Sequence, residues 1–462
     1  IAALITLFLI YYLCKLLKLP MVLRFFIVGF IASCYGFWWY SVECETYIMP
    51  LPFLSLSFIQ LIKIQRDLAK SSHHLLLAIF VALAILFHQQ HILFGFIIIL
   101  GYLIIYWNQH HRVERGVFLR ELGLYVFCSG AITVASYLAV AIFVKGYYSY
   151  TGIWTWVQGH GTADVWGEWT ITGPIKACIG FFRAFLGGHF IFSFEKFSQI
   201  IHKALSNFML REETFLVAHF SVAKKVALSG LSFIVLICFA YVLVKIIKDG
   251  SWKEVATHIH RRLLLYLFLL YVVVYSVFNI WWEAQNIEFW VSLIPVVALL
   301  MGLFLAPIVY DKRVKIALFV GIIGLFMVNL IGSVLPQTTH KYDYWYQANS
   351  WLIQNFRQDD LVVSGSGYIS DIYLRYYSGA KILSTLWSED GIYKEFQKYV
   401  TRYKPHRIYF LSTIKNPPNE IINRFDIDNS SAEQFFEKHR PHLKEVYRDS
   451  LQKVYRYQTD IK

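Results

Sequence analysis

Apolar residues in this chain fall into long runs separated by short polar turns. Each run approaches the ~20 residues that a helix needs to cross a bilayer. Ten runs are predicted spans: 1–14, 20–40, 46–63, 74–88, 91–107, 122–144, 226–247, 263–281, 290–310 and 314–336. An eleventh, 174–194, mixes its apolar positions with Pro174, Lys176, Arg183, Gly187, Gly188 and His189. Such a mixture suits a helix at headgroup level, or one re-entering the bundle, within a large loop at about 145–225. Beyond residue 336 the pattern changes. Leu361–Val363, Lys381–Leu383 and Arg407–Phe410 read as strands, with helices expected over 368–378 and 388–404 and an edge hairpin over 446–457. The expected fold class is a multi-pass α-helical membrane protein, 1–336, carrying a small α/β domain, 337–462.

The polar turns alternate in charge. One set carries Lys15, Lys18 and Arg24; Lys63, Arg66 and Lys70; Arg112, Arg115 and Arg120; Lys245, Lys248, Lys253, Arg261 and Arg262; and Lys312, Arg313 and Lys315. The other set carries Glu43 with Glu45, the turn His88-Gln89-Gln90-His91, and Glu283 with Glu288, without a lysine or arginine. Basic loops are retained in the cytoplasm, so the second set is expected outside, and the C-terminal domain with it. A crossing at 174–194 would invert this order and place Arg261 and Arg262 outside. The alternation also starts Ile1 on the outer side, which predicts a preceding span and a cytoplasmic terminus before it.

Composition agrees with this class. Hydrophobic residues make up 57% of 462 residues and charged residues 16%, against about a quarter charged in soluble domains. The net charge of +13 resides in short turns between spans, which fits anionic lipid better than nucleic acid. Six cysteines form no CxxC pair, and most lie in apolar runs, as embedded small hydrophobes do.

Candidate chemistry gathers at the predicted outer mouth. Glu43 and Glu45 follow Phe37-Trp38-Trp39-Tyr40, where a carboxylate can act as a base, bind a metal or orient a hydroxyl; the bland alternative is two solvated acids ending a helix. His88, Gln89 and His91 fit the wall of a polar cavity, or a hairpin satisfying its own backbone. Two histidines leave a divalent metal open without naming a third ligand. Lys176 and Arg183, seven apart on one helical face, fit a lipid phosphate or ordinary snorkelling. Trp154, Trp156, His160, Asp164, Trp166, Glu168 and Trp169 fit either sugar stacking or an interfacial aromatic belt. Glu283 is a further cavity acid. Ser364-Gly365-Ser366-Gly367 resembles half a dinucleotide fingerprint but has Ser370 in place of the third glycine, and reads as a tight turn before a helix.

The ordered set resembles the GT-C superfamily of polytopic glycosyltransferases, which includes the protein mannosyltransferases and the aminoarabinose transferase of lipid A. The likeness rests on Ser41-Val42-Glu43-Cys44-Glu45-Thr46-Tyr47, on Leu86-Phe87-His88-Gln89-Gln90-His91-Ile92-Leu93-Phe94, and on Asn286-Ile287-Glu288-Phe289-Trp290 leading into Leu293-Ile294-Pro295. It implies a GT-C-like bundle in a bacterial inner membrane and a polyprenyl-phosphate sugar donor. The acceptor would be a lipid, glycan or protein, with inversion at the anomeric carbon. In that family the principal acid lies in a long first outer loop, so Glu43 and Glu45 map to the secondary acidic position, and the main base is expected before Ile1. The rival readings are a polytopic transporter or flippase and a polymerase or ligase of lipid-linked glycans.

Overall fold

This computed structural model describes the chain except residues 43–45, 110–113, 159–166, 168, 195–210, 251–254, 256–258, 387–390, 417–428, 449–451 and 459–462. The chain divides into two compact units, one of Ile1–Leu210 with Phe220–Pro336 and one of Arg211–His219 with Gln337–Lys462.

The first unit is helical, and each of the ten predicted spans falls on helix. Among the described residues, six helices are long and apolar enough to cross a membrane: Gln89–Trp107, Arg115–Val144, Val222–Lys248, Arg262–Trp282, Ile287–Leu305 and Lys312–Gln337. Met21–Ser33 and Tyr35–Val42 make a seventh if counted as one span bent by 62°. The bend sits at Cys34, whose backbone is extended between the two helices. Ala2–Leu16 and Ser71–Phe87 are apolar but shorter. The Leu51–Arg66 helix is more polar, and it lies inside: Gln60 and Gln65 are buried along with its leucines and isoleucines. Its serines are satisfied locally, Ser55 and Ser57 each donating at 2.8 Å to the carbonyls of Leu51 and Phe53. Helix Gly173–Leu186, from the eleventh apolar run, has 14 residues and a length of about 21 Å, short of the ~30 Å hydrocarbon core.

Contacts join turns of like charge to each other. Lys245, at the end of one span, pairs with Asp249 at 3.0 Å and with Asp311, at the start of another, at 3.6 Å. Ser71, after one basic turn, donates to Glu121 Oε1, beside the next, at 2.8 Å.

The second unit holds a five-stranded sheet in the order β2-β1-β3-β5-β4, with β1 Asp360–Ser364, β2 Lys381–Ser384, β3 Arg407–Leu411, β4 Leu443–Arg448 and β5 Lys453–Tyr457. The first three strands are parallel, and the β4–β5 hairpin adds to β3 antiparallel, as the C-terminal pattern predicts. Alternation along β1 divides the core. Leu361 and Val363 pack with Phe396, Phe410 and Phe435 on one face, Val362 with Leu352, Leu374 and Tyr409 on the other. The Ser364–Gly367 segment is a turn leading into helix Tyr368–Ser378. A Cβ on Gly365 would lie 2.3 Å from the Thr413 carbonyl oxygen, so close packing requires that glycine. Helix Ser430–His439 had no separate signal in the sequence pattern.

Candidate functional site

The site is built where helices break. Helix Ser71–Phe87 stops because His88 is extended, and Gln89–His91 then makes one tight turn into the next helix. That turn docks on helix Ile259–Trp282. Gln90 Nε2 donates to Asn279 Oδ1 at 3.0 Å, and Asn279 Nδ2 donates to the Phe289 carbonyl at 3.1 Å. His91 Nδ1 lies 2.8 Å from the Tyr275 hydroxyl, whose ring stacks on Tyr271 at 4.0 Å. The His88 ring sits 4.7 Å from Tyr47 and 6.3 Å from Phe289. Of the two glutamines, Gln90 is buried and Gln89 exposed.

After Trp282 the chain turns through three polar residues. Asn286 Nδ2 donates to Glu283 Oε2 at 3.1 Å and to Glu288 Oε1 at 2.6 Å, so one amide bridges two carboxylates. Helix Gly173–Leu186 lies against this turn. A Cβ on Gly180 would be 2.5 Å from the Ala284 carbonyl oxygen and 2.7 Å from Trp290 Nε1. Trp290 Nε1 in turn donates to that same carbonyl at 2.9 Å. The close approach puts Arg183, one turn further on, inside the bundle at 3% exposure. Lys176 is half-buried on the same helix. Gly187 ends the helix at φ +65, in the left-handed region that suits glycine, with the Tyr35 ring against it.

Two further ties hold this end together. Buried His189 donates through Nε2 to the Gly332 carbonyl at 3.0 Å. Asn329 Nδ2 donates to the carbonyls of Ser33 at 2.7 Å and Phe185 at 2.8 Å. Segments 33–42 with Tyr47, 88–91, 173–190, 279–290 and 329–333, far apart in sequence, therefore meet at one end of the helical unit.

The remaining candidates fall in other places. Glu43 and Glu45 lie outside the described residues, as do His160, Asp164, Trp166 and Glu168. Tyr40 and Tyr47, which bracket the first pair in sequence, have ring centroids 5.4 Å apart. Trp154 and Trp156 stand on a separate helix, Tyr150–Gln158, with their ring contacts to Tyr150 and Tyr137. His88 and His91 have ring centroids 5.9 Å apart, but among the described residues no group of three His, Cys, Asp or Glu side chains could hold a metal ion.

Sequence reasoning passed over Tyr275, Asn279, Asn329 and a second cluster. In that cluster His74 Nε2 donates to the Leu68 carbonyl at 2.9 Å, leaving Nδ1 to accept from Tyr102 at 2.6 Å. Glu121, fully buried, takes the Ser71 hydroxyl and the Arg120 guanidinium, Nε at 2.8 Å. The available signal was a polar residue inside an apolar run: Asn279 in Val-Phe-Asn-Ile-Trp and Asn329 in Met-Val-Asn-Leu-Ile.

Fold and site together define a largely helical protein whose described residues include six helices long and apolar enough to cross a membrane, with polar groups assembled at helix breaks and a small mixed sheet near the C-terminus. Neither the protein-family models nor the curated proteins contain a match to this chain.

Proposed function

We propose that this chain is a GT-C-type membrane glycosyltransferase. It moves a sugar from a polyprenyl-phosphate donor to a lipid, glycan or protein acceptor on the outer face of a bacterial inner membrane. The observation that carries this reading is Arg183, buried on the helix whose Gly180 packs against the turn that bears Glu283 and Glu288, where five separate segments converge. A guanidinium placed there suits the phosphate of a donor whose tail lies in the bilayer, and Lys176 on the same face adds a second cation. In the reaction a carboxylate takes the proton of an acceptor hydroxyl, with Glu43 and Glu45 assisting from the secondary acidic position. The freed oxygen attacks the anomeric carbon from the face opposite the phosphate, and the carbon–phosphate-oxygen bond breaks. The electron pair leaves with the lipid phosphate, where positive charge lowers the barrier. His88, Gln89 and His91 then wall the cavity for the substrate, and Trp154 and Trp156 offer faces on which a sugar ring stacks.

The test uses the full chain in proteoliposomes with a panel of radiolabelled polyprenyl-phosphate sugars. Protein-dependent release of polyprenyl phosphate is expected, falling at least about 100-fold in Arg183→Ala, within the range lost when a transition-state charge partner is removed. Glu43→Gln or Glu45→Gln should abolish it. A folded protein that turns over no donor overturns the reading, and full turnover in both glutamine variants removes those acids from the chemistry.

A second reading, a polytopic transporter or flippase, draws its support from Glu121 and His74. A buried carboxylate and imidazole inside apolar helices are costly features that transport pathways use. Counterflow of labelled lipid-linked sugar without sugar transfer would favour it.

A further inference from the structure

Helix Tyr368–Ser378 of the C-terminal unit follows β1 and turns Asp371 and Leu374 inward, Leu374 into the sheet core. Its other face is apolar and uncovered within that unit. Ile369 is 47% exposed, Ile372 43% and Tyr376 80%. Their spacing of three and four residues makes one stripe along the helix, with Arg375 exposed beside it. A soluble surface rarely places two isoleucines and a tyrosine in line without a partner.

The surroundings of the stripe say which partner. Tyr377, next to Tyr376, has ring contacts to Tyr373 at 5.9 Å, Tyr376 at 5.0 Å and Tyr346 at 5.2 Å. Tyr346 stacks on His340 at 3.9 Å. The helix is therefore fastened to the segment His340-Lys341-Tyr342-Asp343-Tyr344-Trp345-Tyr346. That segment begins three residues after Gln337, the last residue of a helix long and apolar enough to cross a membrane. Three residues of extended chain reach about 11 Å at most, so His340 stays within that distance of the helix end. Tyrosine and tryptophan are the residues that settle at the membrane–water boundary, and Lys341 and Arg375 match anionic headgroups.

We infer that the Ile369, Ile372 and Tyr376 face of this helix docks on the bilayer surface, lying in the headgroup layer as an amphipathic anchor. The docking holds the C-terminal unit against a membrane surface. It depends on the chain being membrane-embedded and is independent of glycosyl transfer.

The test places an environment-sensitive fluorophore at Ile372→Cys or Lys398→Cys of the full chain, with native cysteines replaced by alanine. The protein is reconstituted in vesicles of phosphatidylcholine and phosphatidylglycerol. Lys398, exposed on the helix Ile392–Tyr403 that packs on the opposite sheet face, serves as the solvent reference. Brominated lipid should quench the probe at 372 several times more than at 398, and aqueous iodide should show the reverse order. Iodide access at 372 equal to that at 398 overturns the proposal. Shielding at 372 from both quenchers also overturns it, because protein would then cover the stripe. In the native-cysteine chain, Ile372→Glu should speed amide exchange of residues 368–378 severalfold in vesicles. Unchanged exchange in that variant counts against lipid docking, whatever the probe reads and whatever sugar donor proves active.

Discussion

At the end of the helical unit that carries the basic turns, Glu121 is buried with Arg120, Ser71 and His74 around it, and Tyr102 closes the group. At the other end, about 21 Å further along the helix that begins near His74 and stops at His88, the polar groups are arranged differently. The first cluster mainly joins side chains of regular helices to one another, with His74 Nε2 alone of this group reaching a backbone carbonyl, that of Leu68. The second directs side-chain donors at backbone carbonyls of neighbouring segments: Asn279 at Phe289, Asn329 at Ser33 and Phe185, His189 at Gly332, Trp290 at Ala284. Those carbonyls occur at or beside helix ends and breaks. A helix that stops inside a bundle leaves such groups to be satisfied, and polar side chains from other spans do it. The difference teaches how burial of a polar group bears on function. A closed cluster fastens helices, whereas a cluster assembled around broken helices fixes charged residues, here Arg183, Glu283 and Glu288, at a defined place.

The largest effect expected from breaking this contrast is at Glu121. Glu121→Ala leaves Arg120 and Ser71 without their shared acceptor and should cost about 3 kcal/mol, the upper end for lost hydrogen bonds to a charged group. Unfolding of the full chain in lipid nanodiscs measures it. Turnover per folded molecule should stay at the wild-type level, and its loss would transfer the functional role to this end.

Asp371 of the C-terminal unit supplies the limiting case, a buried carboxylate dominated by desolvation. At 6% exposure its pKa is pushed up to about 6 by burial, with the Ser364 and Ser384 hydroxyls and then Arg375 offsetting part of the shift. The folded state therefore holds this proton more tightly than the unfolded chain does. The corresponding stability is fully present below about pH 4 and is lost as pH rises through about 6, a difference of roughly 3 kcal/mol at neutral pH. Asp371→Asn should remove this pH dependence and raise the neutral-pH stability of that unit. Pulse proteolysis of the full chain across pH 4 to 8 checks it, and a flat wild-type profile would refute the assignment.

Gly180→Ala sharpens the contrast from the other end. The added methyl meets the Ala284 backbone, which cannot give way as a side-chain tip can, and should cost about 2 kcal/mol. Because the helix carrying Arg183 must shift, donor affinity should fall with it, whereas Gly116→Ala, in open space, should change neither. The smallest effect is expected at Tyr275→Phe, which removes the His91 hydrogen bond at about 1 kcal/mol and is read in the same nanodisc assay.

Spans, turns and the α/β unit were legible in the sequence because each depends on local pattern. Apolar runs near the length of a bilayer became helices, and Leu361–Val363, Lys381–Leu383 and Arg407–Phe410 became the parallel strands. The hairpin near the C-terminus was legible for the same reason. The Leu51–Arg66 helix shows the limit of that reading: its glutamines and lysine lower its apolar character, yet it is a buried core helix because neighbouring spans enclose it.

What the chain determined by itself is where helices start, stop and change charge, since periodicity and breakers act over a few residues. Only the tertiary structure decided which breaks meet. Gln90 reaches Asn279 across 189 positions and Asn329 reaches Ser33 across 296, and no local pattern encodes such pairings. It also decided that Arg183 is enclosed rather than snorkelling, because Gly180 lets one helix approach the Ala284 backbone where any side chain would hold it away.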